Sequence, residues 1–307
     1  MQSALSWERE GLHWPNREHS RFVNAAGLRW HVQHWGGPTP EAPLALLLHG
    51  TGASTHSWRA LAPLLARQMA VLAMDLPGHG FTGPAPGRQS QPHSLLGMAR
   101  ALGELLREAG LAPALLVGHS AGGAIALRLC LDGLLQPQRV IGLNAALLPL
   151  SGLAGQLFSP VAKLMSLGTL VPRLFARRAS HPAMLDRLLE GTGSQVDATG
   201  RALYQVLVAD PGHVSGALAM MAHWDLASLV RDLGRLRTPL DLVVGTRDGT
   251  VPPGQAQKVL ARLPADLLAR CIRLEGLGHL AHEEAPQQVA DLIASLWQGD
   301  APTQSPP

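Results

Sequence analysis

The chain has 307 residues, of which 46% are hydrophobic and 15% are charged, and its formal net charge at pH 7 is +3. This apolar share excludes a disordered chain, and a cysteine count of two excludes a disulfide scaffold. A small net charge without a long basic block gives no basis for a nucleic-acid partner. Cys130 and Cys271 each lie in an apolar run and are predicted to be buried thiols.

The first predicted element is a hairpin, and short apolar strands alternate with helices after it. The hairpin comprises strands 21–24 and 28–33 around a turn at 25–27. Further strands are predicted at 44–48, 70–74, 114–117, 139–143, 239–244 and 269–274, and helices at 58–68, 93–109, 121–134, 254–262 and 285–298. Continuous apolar runs are typical of strands covered on both faces. We therefore predict an α/β fold with a mostly parallel, twisted sheet of about eight strands flanked by helices.

The alternation stops between residues 146 and 238, which hold helical patterns at 161–176, 182–190, 199–209 and 214–231. Ordinary connections are much shorter, so we interpret 146–238 as a helical lid inserted into a core formed by 1–145 and 239–298. The insertion carries nine Lys and Arg against six Asp and Glu, while the remainder carries 16 of each. The whole net charge therefore lies on the predicted lid. Residues 299–307 are predicted to be a disordered tail.

Residues 140–162 carry no charge and are long enough to span a bilayer. They also contain Asn144, Pro149 and Pro160, which a spanning helix tolerates poorly. We therefore predict a buried strand that runs into an apolar loop and helix, with peripheral contact of the lid with a membrane as the alternative. The first ten residues have neither a basic start nor an apolar core, so we expect no signal peptide and a cytoplasmic location.

The motif Gly118-His119-Ser120-Ala121-Gly122 follows a predicted strand and opens a predicted helix. A nucleophilic serine needs this context, because a sharp strand-to-helix turn exposes its hydroxyl above the edge of the sheet. Ser120 is therefore the predicted nucleophile.

A serine nucleophile needs a base, and the chain offers 14 histidines. In this arrangement the base follows the last strand, which selects His279 on the loop after 269–274. His282 is interpreted as a surface or capping residue at the start of the last helix. A metal site formed by His279, His282 and Glu283 lacks a good ligand spacing, so no metal or other cofactor is expected.

The acid that orients the base is expected at the end of another strand. Asp248 lies on the loop after 239–244, while the strand 139–143 ends at the uncharged Asn144. Asp225 and Asp241 are the alternatives, although Asp241 lies inside a strand and is more typical of a structural residue.

The oxyanion of an acyl-transfer reaction needs backbone N–H donors. We predict the N–H groups of Ala121, the residue after the nucleophile, and of Thr51, on the loop after strand 44–48. His49 is interpreted first as a structural residue of that turn. The loop 75–81 is expected to shape the same edge of the sheet.

Together these residues resemble the α/β-hydrolase superfamily of lipases, esterases, haloperoxidases and C–C bond hydrolases. The motif pieces occur in order at 49–52, 75–80, 118–122, Asp248 and 278–279. The resemblance implies the α/β-hydrolase fold. Ser120 disfavours the epoxide-hydrolase and haloalkane-dehalogenase branches, which use a carboxylate nucleophile.

A more specific resemblance covers nearly all of residues 7–298. It rests on 48–59 (LHGTGASTHSWR), 142–149 (GLNAALLP), 157–160 (LFSP), 171–175 (VPRLF), 210–214 (DPGHV) and 278–286 (GHLAHEEAP). These segments resemble the BchO-type magnesium-chelatase accessory proteins of photosynthetic bacteria. The resemblance implies a role near magnesium insertion in bacteriochlorophyll biosynthesis, with chelatase subunits as partners and the inner or photosynthetic membrane as a peripheral location.

An apolar substrate pocket beside basic lid residues would suit a porphyrin with its propionates. The candidates for this pocket are His49, His119, Leu147, Leu148, Phe158, Arg173 and Trp224.

Three hypotheses follow. The first is an esterase-like serine hydrolase that acts on a large apolar molecule such as a tetrapyrrole. The second is a non-catalytic accessory protein that binds porphyrin or the chelatase. The third is a C–C bond hydrolase or lyase that uses the same Ser120, Asp248 and His279.

Overall fold

A computed structural model describes residues 5–88, 91–149, 176, 178 and 182–299. Its strands are β1 (Ser20–Ala25), β2 (Leu28–Trp35), β3 (Leu44–Leu48), β4 (Ala70–Met74), β5 (Gly83–Pro84), β6 (Leu115–His119), β7 (Arg139–Leu143), β8 (Leu240–Gly245) and β9 (Ala269–Leu274). Its α-helices are α1 (Trp7–Glu10), α2 (Leu61–Leu65), α3 (Leu95–Glu108), α4 (Ala121–Leu131), α5 (Pro182–Glu190), α6 (Ala198–Ala209), α7 (Pro211–His223), α8 (Ala227–Asp232), α9 (Gln255–Leu260), α10 (Ala281–Glu284) and α11 (Pro286–Gln298).

The strands form one sheet in the order β1-β2-β4-β3-β6-β7-β8-β9, with β5 paired to β2. The pairs β1–β2 and β2–β4 are antiparallel, and from β4 to β9 every pair is parallel. The predicted α/β class and mostly parallel sheet are confirmed. In the parallel part, the carboxyl ends of the strands meet at one edge, where the loops after β3, β6, β7, β8 and β9 come together.

Apolar cores cover both faces of the sheet, which explains the continuous apolar runs of the strands. Along β6, Leu116 belongs to the core on one face, while Leu115 and Val117 belong to the core on the other. Helices α3 and α4 cover the first face, and α2 and α11 cover the second. Because successive side chains point to opposite faces, each residue of such a strand is buried.

Every predicted strand is present, and the two-residue β5 is an addition that its Gly-Pro sequence does not indicate. The helix predicted at 58–68 is wrong in extent: a 3₁₀ turn at Thr55–Trp58 precedes the short α2. The helix predicted at 214–231 is interrupted between α7 and α8. There the Oδ1 atom of Asp225 accepts from the N–H of Ala227 at 2.8 Å, a local bond that competes with helix continuation.

The start of α7 also lies earlier than predicted. Asp210 caps it by accepting from the N–H of His213 at 2.7 Å, and Pro211 occupies the first turn. The helix α1 and the turns beside it were not predicted. The prediction of buried thiols is wrong as well, because Cys130 and Cys271 are both only half-buried. Both thiols are free, and burial still raises the pKa of Cys130 to about 11.

Helices α5 to α8 lie between β7 and β8, in the stretch predicted as a lid. Its role as a lid stays a prediction. Most of the predicted helix 161–176 and nearly all of the tail 299–307 lie outside the described residues, as does the second half of the uncharged run 140–162. The first residues of that run form β7 as predicted. Among the described residues, no helix is long and apolar enough to cross a bilayer.

Candidate active site

The turn between β6 and α4 holds Ser120 in a backbone conformation that is costly for a residue with a Cβ atom. Its φ is 52° and its ψ is −117°. The N–H of Ser120 donates to the carbonyl of Leu143 at 3.0 Å, which ties the turn to the end of β7. A Cβ atom on Gly122 would lie 2.1 Å from the carbonyl oxygen of Leu48, so this turn needs a glycine to approach β3. These features are those of a nucleophile elbow.

Asp248 and His279 meet at the same edge of the sheet. Nδ1 of His279 lies 2.8 Å from Oδ2 of Asp248, and only 6% and 8% of the two residues are exposed. Oδ1 of Asp248 accepts from the N–H groups of Thr250 at 2.7 Å and Val251 at 2.8 Å. An ionised carboxylate only accepts hydrogen bonds, so Nδ1 of His279 donates to it, and in the neutral ring Nε2 then carries the lone pair. That tautomer is the one a general base requires.

The two alternative acids lie elsewhere. Asp225 is exposed at the break between α7 and α8. Asp241, near the start of β8, is buried and pairs with Arg139 at 2.5 Å and Arg270 at 2.7 Å. Of the three candidates, Asp248 is the one that contacts His279.

Asn144 completes the surroundings of Asp248, and sequence reasoning missed this contact. Its Nδ2 atom donates to Oδ2 of Asp248 at 2.7 Å, so one carboxylate oxygen receives both the amide and the imidazole. Asn144 is buried at the end of β7, with a left-handed φ of 47°. The sequence feature that could have indicated this contact is the position of Asn144 at the carboxyl end of the strand next to β8.

His119, the residue before the predicted nucleophile Ser120, contacts the loop of the predicted base His279. Nε2 of His119 donates to the carbonyl of His279 at 2.9 Å, and the two ring centroids are 4.8 Å apart. The bond fixes the backbone of the base loop directly against the end of β6. Ser120 therefore lies at the same loop junction as His279.

The predicted oxyanion donors lie on either side of Ser120. Ala121 is the first residue of α4, where an N–H has no acceptor within the helix. On the other side, a Cβ atom added to Gly50 would lie 2.9 Å from Cβ of Ser120, so the loop that carries Thr51 passes beside the elbow. The oxyanion role of Thr51 and Ala121 stays a prediction.

The interpretation of His282 as a surface or capping residue is wrong. It is 1% exposed, and its ring lies between those of His119 and Trp58, with centroid distances of 4.5 Å and 4.6 Å. Burial lowers its pKa to about 3, so the ring is neutral. Within the described part of the chain, no group of three or more His, Cys, Asp and Glu side chains is arranged to hold a metal ion.

Comparison with known proteins places this geometry in a family. Residues 45–292 match the model of the alpha/beta hydrolase family, which is most of the chain. The chain belongs to the alpha/beta hydrolase family.

Two curated relatives illustrate the range of this similarity. The magnesium-chelatase 30 kDa subunit of Rhodobacter capsulatus is 36% identical over 286 residues, which cover 93% of this chain and 97% of that protein. The dihydrolipoyllysine-residue acetyltransferase component of the acetoin cleaving system of Pseudomonas putida is 30% identical over 85% of this chain and 64% of that protein. The similarity to the chelatase subunit therefore extends through the inserted helices and agrees with the resemblance seen in the sequence.

Solved structures share the fold at lower identity. The carboxylesterase CesB of Bacillus subtilis superposes with a TM-score of 0.71 at 17% identity, covering 95% of this chain and 96% of that chain. The epoxide hydrolase CorEH superposes with a TM-score of 0.75 at 20% identity, covering 91% and 98%. These likenesses confirm the alpha/beta hydrolase fold.

Several predicted pocket residues belong to, or pack against, the apolar core that also holds Ala121. Leu147 and Leu148 are buried in the same apolar cluster as Ala121, and Trp224 is half-buried against that cluster. Phe158 and Arg173 lie outside the described residues. The use of these side chains as a substrate pocket stays a prediction.

His49 and His119, the other two pocket candidates, are almost wholly buried. Nδ1 of His49 donates to the carbonyl of Gly50 at 2.8 Å, and its Nε2 accepts from the N–H of Leu76 at 2.9 Å. Burial lowers its pKa to about 4, so the ring is neutral. These bonds support the interpretation of His49 as a structural residue of its turn.

The loop 75–81 is held by Asp75, as its predicted shaping role requires. The buried carboxylate accepts from the N–H groups of Thr55 at 2.7 Å and Phe81 at 2.9 Å, and from Nδ1 of His31 at 2.8 Å. Burial alone would raise the pKa of Asp75, but His31 and the two N–H groups outweigh it and lower this pKa well below its usual range.

Replacing Asp75 with asparagine is expected to lower the free energy of unfolding at pH 7 by about 1–3 kcal/mol, because an amide hydrogen would face these donors. The wild-type carboxylate has a lowered pKa, so its contribution is present above the unfolded pKa of about 3.9 and is lost as the pH falls below that value. The difference between the proteins should therefore shrink toward pH 3. Urea unfolding at several pH values measures this, and a difference independent of pH would contradict the role of the charge.

Proposed function

We propose that this alpha/beta hydrolase is an esterase-like serine hydrolase with Ser120 as nucleophile, His279 as base and Asp248 as the acid that orients it. The observation that carries the proposal is the buried 2.8 Å contact between Asp248 and His279, at the sheet edge that also holds Ser120 on its strained turn. The contact fixes the tautomer in which Nε2 of His279 accepts a proton.

The proposed reaction begins when the hydroxyl oxygen of Ser120 attacks the acyl carbon and Nε2 of His279 takes the hydroxyl proton. The tetrahedral oxyanion accepts hydrogen bonds from the N–H groups of Thr51 and Ala121, each worth about 3–4 kcal/mol in the transition state. The C–O bond to the leaving group then breaks, and the imidazolium gives its proton to the departing alkoxide. Water attacks the acyl-enzyme with the same base, which releases the acid and restores Ser120.

The proposed substrate is a large apolar molecule, with a tetrapyrrole intermediate as the preferred class. Two observations support it: the similarity to the Rhodobacter capsulatus magnesium-chelatase 30 kDa subunit over 97% of that protein, and the apolar side chains of Leu147, Leu148 and Trp224 in or against the core that also holds Ala121. In this proposal the protein acts as an accessory to magnesium chelation in bacteriochlorophyll biosynthesis. It works in the cytoplasm with chelatase subunits as partners, and the lid 146–238 covers the site.

A second candidate function is a non-catalytic accessory that binds porphyrin or the chelatase. The same similarity favours it, since that relative is named as a subunit. A strain that carries Ser120→Ala separates the two functions. Loss of pigment with accumulation of an intermediate supports catalysis, and unchanged pigment supports the accessory role.

Covalent labelling tests the proposed hydrolase directly. Purified protein should react with a fluorophosphonate probe at Ser120, and a Ser120→Ala variant with the same melting temperature should not react. A folded wild-type protein that never labels would overturn the proposal. The rates of hydrolysis of aryl esters and of vinylogous β-diketones are then compared. Faster hydrolysis of the esters indicates an esterase, and faster cleavage of the diketones indicates a C–C bond hydrolase that uses the same residues.

A further inference from the structure

The segment between α5 and α6, residues 191–197, lies against both loops that carry the proposed acid and base. We call it the clamp segment. The carbonyl oxygen of Thr192 accepts from the N–H of His279 at 3.1 Å and from the N–H of Gly249 at 3.1 Å. One backbone atom of the inserted helical region therefore contacts the base residue itself and the residue that follows Asp248.

Further contacts join the clamp segment to the base loop. The hydroxyl oxygen of Ser194 accepts from the N–H of Leu280 at 2.8 Å, in a buried bond. The carboxylate of Glu284 accepts from the N–H of Gln195 at 3.0 Å and from that of Gly278 at 2.7 Å. The N–H groups on both sides of the base are thus held by the insertion or by a side chain bonded to it.

The close approach of the clamp segment to the acid loop depends on Gly193. Its φ is +76°, and an added Cβ atom would lie 1.9 Å from the carbonyl oxygen of Arg247, the residue before Asp248. A side chain at this position would have to move the acid loop or the clamp segment. The N–H of Gly193 also donates to the carbonyl of Glu190 at 2.9 Å, which joins the clamp segment to the end of α5.

We propose that Thr192, Gly193 and Ser194 are positioning residues, which hold the acid loop and the base loop at the spacing that the Asp248–His279 bond requires. This inference rests on the proposed function for its catalytic meaning. The inserted region is then part of the active site as well as its predicted cover. A movement of α5 or α6 changes the reactivity of Ser120 by changing how Asp248 holds His279.

The test compares Gly193→Ala with Gly133→Ala. Gly133 also has a positive φ, +68°, but an added Cβ atom there meets nothing within 4 Å. Both variants carry the backbone strain, and only Gly193→Ala displaces the acid loop. We expect fluorophosphonate labelling of Ser120 to slow about 10²-fold in Gly193→Ala, with a shifted pH midpoint, and to keep the wild-type rate and midpoint in Gly133→Ala.

A second readout does not depend on reactivity. The Nδ1 proton of His279 should give a low-field proton resonance in wild type, Ser120→Ala and Gly133→Ala, assigned by its loss in His279→Gln. Its loss or upfield shift in folded Gly193→Ala supports the clamp, and an unchanged resonance overturns it. If the wild-type protein never reacts with the probe, the proposed hydrolase function is rejected. The His279 resonance still shows whether the clamp segment positions the acid and base loops.

Should Gly193→Ala not fold, Ser194→Ala replaces it. Its matched control is Ser94→Ala, since Ser94 likewise accepts from a backbone N–H, that of Gly97 at 3.2 Å, at the start of α3. A weaker His279 resonance in Ser194→Ala, but not in Ser94→Ala, supports the clamp. Equal spectra of the two variants contradict it.

Discussion

An Asp248→Asn variant is expected to lose about 10⁴-fold in the rate of ester hydrolysis while it keeps the fold. The size of the loss follows from the hydrogen bonds around this carboxylate. Oδ1 accepts from the N–H groups of Thr250 and Val251, and these donors belong to the backbone of the same loop. An asparagine must therefore turn its carbonyl oxygen to that side.

The amide nitrogen of the variant then takes the place of Oδ2, where Nδ1 of His279 now donates at 2.8 Å. Two donors cannot share a hydrogen bond, so His279 must move its proton to Nε2 and accept at Nδ1. In that tautomer Nε2 no longer accepts the proton of Ser120. The side chain of Asn144, which now donates to Oδ2 at 2.7 Å, can turn its own oxygen toward the new amide and would secure the wrong tautomer.

Asp225→Asn is the matched control for this prediction, because it makes the same change at the exposed alternative acid. Its remaining oxygen still accepts from the N–H of Ala227, so neither stability nor rate should change. The measurement is steady-state hydrolysis of an aryl ester together with a melting curve. A loss smaller than tenfold in folded Asp248→Asn would show that Asp248 does not orient the base.

The strands and the order of the site residues could be predicted from the sequence because their signals are local. Continuous apolar runs such as 44–48 and 114–117 need apolar neighbours on both faces, and a parallel sheet supplies these. The Gly118–Gly122 motif has a strand before it and a helix after it, and this local pattern is enough to predict the turn.

The site contacts that were missed from the sequence join distant parts of the chain. Asn144 meets Asp248 across 104 positions, and Leu280 meets Ser194 across 86. The sequence pattern around an amide or hydroxyl side chain does not indicate which distant residue it will contact. The clamp segment has the same composition as an ordinary short polar loop, so its contacts could not be predicted. His282 was placed on the surface because a polar residue at a helix start is usually a cap, whereas packing against Trp58 and His119 buries it.

Replacing Arg59 with alanine is expected to lower the free energy of unfolding by about 3–5 kcal/mol, the largest stability effect among our predictions. The guanidinium pairs with Glu283, whose side chain is fully buried, and with Asp197 at the start of α6 at 2.8 Å. Tyr204 of α6 donates to the other oxygen of Glu283 at 2.7 Å. The substitution leaves this buried carboxylate without its charged partner, with the Tyr204 hydroxyl still donating to it.

The loss of stability in Arg59→Ala should be larger at high pH than at low pH. Burial already raises the pKa of Glu283 in the wild-type protein, against the lowering effect of Arg59. Without Arg59 this pKa rises further. A carboxyl whose pKa is raised in the folded protein does not lower the free energy of unfolding below its unfolded pKa of about 4.3. Above that pH it lowers the free energy of unfolding by about 1.4 kcal/mol per pH unit, until the folded pKa is reached. Arg59→Ala should therefore be least destabilised near pH 4.

Urea unfolding between pH 4 and pH 8 measures this effect, and the double variant Arg59→Ala/Glu283→Gln isolates its cause. Glutamine removes the buried charge, so the double variant should be more stable than Arg59→Ala at pH 8 and should lose the added pH dependence. Arg201→Ala is the control, because its pair with Asp186 at 3.2 Å is exposed and contributes about 0–1 kcal/mol. If Arg59→Ala has a deficit that is the same at every pH and is not relieved by Glu283→Gln, Arg59 contributes through packing of its side chain and does not set the pKa of Glu283.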